Sequence, residues 1–83
     1  MIIQYVRDEN YNPIGVVVAT DKNEVGVSQC NPHDKFRKAL GVEIAAGRAK
    51  KGVPWKTGVI HEDVGLFSPI VQKVVARSRK YFQ

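Results

Sequence analysis

The order of apolar and polar residues along the chain predicts three strands followed by two helices. Ile2 to Arg7 is β-branched and aromatic and runs into turn formers, so it predicts a strand. Asp8-Glu9-Asn10-Tyr11-Asn12-Pro13 predicts a turn, because Asn and Asp tolerate tight backbone angles and proline fixes its own φ. Ile14 to Thr20 predicts a second strand, and its unbroken apolar run predicts cover on both faces. A polar turn at Asp21-Lys22-Asn23-Glu24 leads to a third strand, Val25 to Cys30. Connections this short favour antiparallel pairing, hence a three-stranded meander.

Asn31, Pro32 and Asp34 then form a helix start. Asn accepts from an unpaired backbone N–H, Pro loses nothing at the first helical position, and Asp suits the positive end of the helix dipole. The first helix is expected from about Pro32 to Lys50 or Lys51, stopped by Gly52 and Pro54. Residues 52–67 read as loop with a short strand candidate at Val59-Ile60, and Ser68-Pro69 opens a second helix to about Tyr81. The expected class is α+β, one domain over residues 1–83, with a β-β-β-α-α order in which two helices pack a three-stranded antiparallel meander.

Composition narrows the function classes. The chain has 83 residues, 43% of them hydrophobic and 25% charged, an ordinary globular balance. No apolar run nears the roughly 20 residues of a membrane-spanning helix. Met1-Ile2-Ile3-Gln4-Tyr5 lacks the basic stretch and cleavage site of a signal peptide. One cysteine, Cys30, excludes an internal disulfide framework and fits a reducing compartment. A core this small makes homo-oligomerisation a natural supplement.

Charge is divided unevenly about a net of +5. Residues 1–34 hold two basic residues (Arg7, Lys22) and five acidic ones (Asp8, Glu9, Asp21, Glu24, Asp34). Residues 35–83 hold eleven basic residues against Glu43, Glu62 and Asp63. Such a field recruits nucleic acid, nucleotides or an acidic protein surface, although solubility alone is a sufficient reason for excess charge.

On a helical wheel, Phe36, Leu40, Ile44 and Gly47 share an arc of about 80°, the face expected against the sheet. Arg37 and Arg48 lie together on a neighbouring stripe about 16 Å apart along the axis, with Lys38 flanking and small Gly41 and Ala45 beside them. Cationic arms around a small-residue floor can cradle phosphate, because guanidinium forks match its oxygens. The same small residues equally suit close packing against a neighbouring backbone. The second helix should bury Ile70, Val71, Val74, Val75 and either Tyr81 or Phe82, and it aligns Lys73, Arg77 and Lys80 on one stripe. Trp55, beside Lys56 in the loop, and Tyr81 could stack on a base, or cap a core or an oligomer contact. The candidate ligand-binding residues are therefore Arg37, Lys38, Arg48, Trp55, Lys73, Arg77 and Tyr81.

Catalytic and metal chemistry find little to work with. Cys30 and His33, with His61 elsewhere, fall short of the three or four closely spaced ligands a zinc site wants, so no metal or cofactor is expected. Glu62-Asp63 is an adjacent acidic pair in a loop. Gly47-Arg48-Ala49-Lys50-Lys51-Gly52 lies at a helix end, whereas a phosphate loop needs a helix start and a Lys-Ser/Thr pair. An enzyme is not expected.

The stretch Val27-Ser28-Gln29-Cys30-Asn31-Pro32-His33-Asp34-Lys35-Phe36-Arg37-Lys38, continuing to Gly47-Arg48-Ala49, resembles a family of short bacteriophage accessory proteins. The shared features are a strand ending near Ser-x-Cys-Asn-Pro, a helix opening Asp-Lys-Phe-x-Lys and a closing Gly-Arg-Ala, over about residues 2–50. Ala39-Leu40-Gly41-Val42 departs from the resemblance, standing where a more basic segment is expected. The resemblance implies a phage protein of the host bacterial cytoplasm, a setting in which counter-defence factors are common. The leading expectation is a non-catalytic sponge that sequesters a phosphate-bearing small molecule, such as a nucleotide immune signal, in a basic pocket of a homo-oligomer. The alternatives are a DNA- or RNA-binding accessory protein and a direct protein inhibitor of anti-CRISPR or anti-restriction type.

Overall fold

Turn chemistry and β-branched runs produce the expected sheet. The computed structural model describes residues 1–29, 37–51 and 64–82. Strands β1 (Ile2–Arg7), β2 (Pro13–Asp21) and β3 (Glu24–Gln29) pair antiparallel in the order β1-β2-β3. The register sets Tyr5 opposite Val16 and Val17 opposite Val27, and it shifts between Val6 and Arg7 and between Ala19 and Asp21. Asp8 builds the first turn, its Oδ1 accepting from the Asn10 and Asn12 amides, both at 2.9 Å.

Helices α1 (Lys38–Lys51) and α2 (Val64–Tyr81) complete the α+β domain. The expected helix start at Pro32, the short strand candidate at Val59-Ile60 and Trp55 lie outside the described residues. α2 begins before the expected Ser68, so Pro69 sits inside the helix, where it removes one backbone donor. No described helix is long and apolar enough to cross a membrane.

The two helices cover opposite faces of the sheet. On one face Ile2, Val6, Val17, Ala19, Val25 and Val27 pack with Val74 of α2, flanked by Ile70, Val71, Val75 and Phe82. On the other face Val16 and Val18 pack with Ala45 of α1, flanked by Tyr5, Val42 and Ala46. Residues alternate between these faces along β2, so Val16, Val17, Val18 and Ala19 are all 0% exposed. Each buried valine contributes roughly 1.5–3 kcal/mol relative to exposure, which makes β2 the centre of both cores.

A polar contact fixes the end of α2. Ser78 is fully buried; its Oγ donates to the Val75 carbonyl at 2.7 Å and accepts the Asn23 amide at 3.0 Å. Asn23 turns the chain between β2 and β3 at φ 60°, a left-handed angle that Asn tolerates better than most residues. Its side-chain oxygen accepts from Arg79 Nε at 2.7 Å.

The contact of α1 is closer still. A Cβ on Gly26 of β3 would lie 2.5 Å from the Ala49 amide nitrogen and nearer again to the Ala45 carbonyl oxygen. The obstructing atoms are backbone and cannot rotate away. Gly26→Ala is therefore expected to cost about 3 kcal/mol, at the upper end of overpacking losses, and to lower Tm by more than about 10 °C. A Cβ on Gly47 would meet nothing within 4 Å. Gly47→Ala should raise stability by up to about 1 kcal/mol in the same denaturation series.

Candidate anion-binding surfaces

The face that α1 turns to the sheet is made of its smallest residues. Gly41, Ala45 and Ala49 recur every fourth position and are the buried residues of the helix. This corrects the face expected from hydrophobicity, since Leu40 is 49% exposed, Ile44 is 39% exposed and Gly47 is exposed as well. The proposed phosphate floor of Gly41 and Ala45 is in fact the packing surface. Only a small side chain lets two backbones approach as closely as Gly26 and Ala45 do.

The three cations expected on α1 have separate roles. Arg48 is half-buried, and its Nη1 donates to the Val27 carbonyl of β3 at 2.7 Å. Its guanidinium is thus engaged by the fold. Lys38 holds its Nζ 5.2 Å from the centroid of the Tyr5 ring, within the range of a cation–π contact. Arg37 is exposed just before α1, and its carbonyl accepts the Gly41 amide at 2.9 Å. Lys50 and Lys51 end the helix, where the dipole favours positive charge.

On α2 the expected stripe is present. Lys73, Arg77 and Lys80 are all exposed and fall within about 60° of one another around the helix axis. They span about 10 Å, and no acidic residue occurs anywhere in Val64–Tyr81. Tyr81 is 65% exposed at the end of the row, its ring set edge-on to Phe82 with centroids 4.8 Å apart. Of the tyrosine and phenylalanine expected to compete for burial, Phe82 is the one that joins the core.

The sheet therefore stands between the two cationic groups. Arg37, Lys38 and Arg48 belong to the α1 side, and Lys73, Arg77 and Tyr81 to the α2 side. One copy does not bring them into one pocket. Among the described residues no group of three His, Cys, Asp or Glu side chains is placed to hold a metal ion. No protein-family model, curated protein sequence or solved structure matches the chain.

The sequence reading missed the exposed pair Leu40 and Ile44. The signal that could have revealed it is Gly26 in the interior of an apolar strand, which marks close backbone approach, together with the Gly41, Ala45, Ala49 spacing. For Arg48 the hydrogen bond to Val27 sets the expectation. Arg48→Ala should lower stability by about 1 kcal/mol, the usual net value of such a bond, seen as a Tm fall of about 4–8 °C. An unchanged melting curve would show that water replaces the guanidinium without loss.

Proposed function

We propose that the protein is a non-catalytic binding protein that holds a phosphate-bearing ligand on the outer face of α2. The observation carrying this is the exposed row Lys73, Arg77 and Lys80, on a helix without a carboxylate and with Tyr81 exposed at its end. Like charges on successive turns repel by a few tenths of a kcal/mol per pair, and an anion aligned with them removes that repulsion. The row is straight and open. A nucleic-acid strand offers successive phosphates along such a row and a base to stack on Tyr81, whereas a single nucleotide would reach only part of it. Nucleic acid is therefore the ligand placed first.

The sponge is the second reading, and the observation favouring it is Arg37, exposed on the opposite side of the sheet. A homo-oligomer that set the α1 side of one copy against the α2 row of another would close a basic pocket around a nucleotide. Either ligand suits a phage counter-defence factor in the host bacterial cytoplasm, the setting implied by the sequence resemblance.

The test uses fluorescence anisotropy of a labelled oligothymidylate. Replacing Lys73, Arg77 and Lys80 together by alanine should weaken binding at least tenfold at low salt without lowering Tm. It should also reduce the slope of log K against log salt by about 2, because each phosphate contact on a single strand contributes about 0.7. Equal binding by the variant and the parent chain would refute the assignment. A thermal shift with cyclic or linear nucleotides, and none with the oligonucleotide, would select the sponge.

A further inference from the structure

We infer that the chain self-associates head to tail, the turn that presents Tyr11 on one copy docking against the outer stripe of α1 on a second copy. The inference uses neither the α2 row nor a ligand, so it stands apart from the proposed function. Tyr11 sits at φ 64°, a left-handed angle that glycine and asparagine adopt readily and a bulky aromatic residue does not. The turn itself holds the backbone there. Tyr11 N–H donates to the Asp8 carbonyl and Asp8 N–H to the Asn12 carbonyl, both at 3.0 Å. Asp8 Oδ1 accepts the Asn10 and Asn12 amides, and Arg7 Nη1 donates to the Tyr11 carbonyl at 3.0 Å. Strain over-determined in this way points to a side chain placed for contact rather than for folding. The ring adds little burial to the fold: Tyr11 is 80% exposed, the largest value among the described large apolar residues.

The receiving surface is the side of α1 turned away from the sheet. Leu40, Ile44, Gly47 and Lys51 fall within an arc of about 60°, centred about 130° from the buried Ala45. All four are exposed, Leu40 by 49% and Ile44 by 39%. A Cβ on Gly47 would meet nothing within 4 Å, so two branched aliphatic side chains are followed on the same stripe by a notch down to the helix backbone. Leu40 to Gly47 spans about 10 Å along the axis, room for one aromatic ring. Arg37 borders the stripe at one end and Lys51 at the other, while Glu43, the sole acid of α1, lies on its flank.

Knob and stripe are complementary in shape and in sign. The Tyr11 ring of one copy would lie in the Gly47 notch against Leu40 and Ile44 of the next. Glu9, exposed beside the ring, and the second carboxylate oxygen of Asp8 would meet Lys51 and Arg37. A twofold dimer through α1 alone fits less well, because it sets two copies of Arg37 and Lys51 side by side. The two surfaces differ, so the contact is heterologous, and copies add into an open chain or close a ring. The α2 row lies on the other face of the sheet and stays outside the contact. A buried tyrosine covers about 150–250 Å², well short of the roughly 800 Å² per partner of a stable interface. Association is therefore weak, and salt weakens it further.

The test is sedimentation of the full chain, without ligand, at low salt and rising concentration. The average mass should climb above that of one chain. Tyr11→Asn and Leu40→Glu should each weaken association at least tenfold, the loss expected of a central anchor. Neither should lower Tm when measured on dilute protein, and Tyr11→Asn should raise it by about 4 °C as the strain is relieved. An equimolar mixture of the two variants should form a pair of chains and nothing larger, since each supplies the surface the other lacks. A parent chain that stays single at millimolar concentration, variants that associate as the parent does, or a mixture that fails to pair would each overturn the inference. A lower Tm in either variant would assign the ring or the stripe to the chain's own fold and would also overturn it. So would association that the triple replacement of Lys73, Arg77 and Lys80 abolishes and Tyr11→Asn does not.

Discussion

The contact between the backbone of α1 and the backbone of β3 at Gly26 organises the rest of the molecule. It requires a glycine in the strand and small residues on the helix, and it is met by Gly41, Ala45 and Ala49. Because the helix turns its small residues to the sheet, its larger apolar residues Leu40 and Ile44 lie off that contact and stay exposed. Arg48 is carried to β3, where it satisfies the Val27 carbonyl. The opposite face of the sheet is left to α2, anchored at its end by the Ser78 contact to Asn23. A three-stranded sheet with a helix on each side follows, and β2 is buried from both directions.

The strands were legible because their causes are local. β-branched runs, an Asp-led turn and an Asn able to adopt a positive φ act within a few residues, and the described strand bounds differ from the expected ones by one residue at most, the expected end at Cys30 lying outside the described residues. The cover on both faces of β2 was legible from its unbroken valine run. The buried face of α1 was not. A wheel weighted by hydrophobicity selects Leu40 and Ile44, but the helix position is decided by how near two backbones can come, and alanine and glycine win there despite their small apolar area. The start of α2 was misplaced for a related reason. Ser68-Pro69 has the composition of a helix start, while the helix extends back to Val64 and tolerates the proline inside it.

The candidate site was legible only in part. Periodicity alone aligned Lys73, Arg77 and Lys80, and the exposed surface of α2 keeps that alignment. Of the pair Arg37 and Arg48, the hydrogen bond that engages Arg48 with the Val27 carbonyl is a long-range contact invisible to helical spacing. Nor could composition show that the sheet separates the basic sides of the two helices. That separation changes the functional reading. It favours an open cationic row, and a pocket that combined the described cations of both helices would need a second copy.

The central claim is that the anion partner meets α2 and leaves α1 untouched. Its most direct test is amide chemical-shift mapping of the full chain during titration with an unlabelled oligothymidylate at low salt. The account predicts shifts concentrated between Lys73 and Tyr81, with Arg37 to Lys51 unmoved. Shifts of equal size on both helices, or on α1 alone, would contradict it.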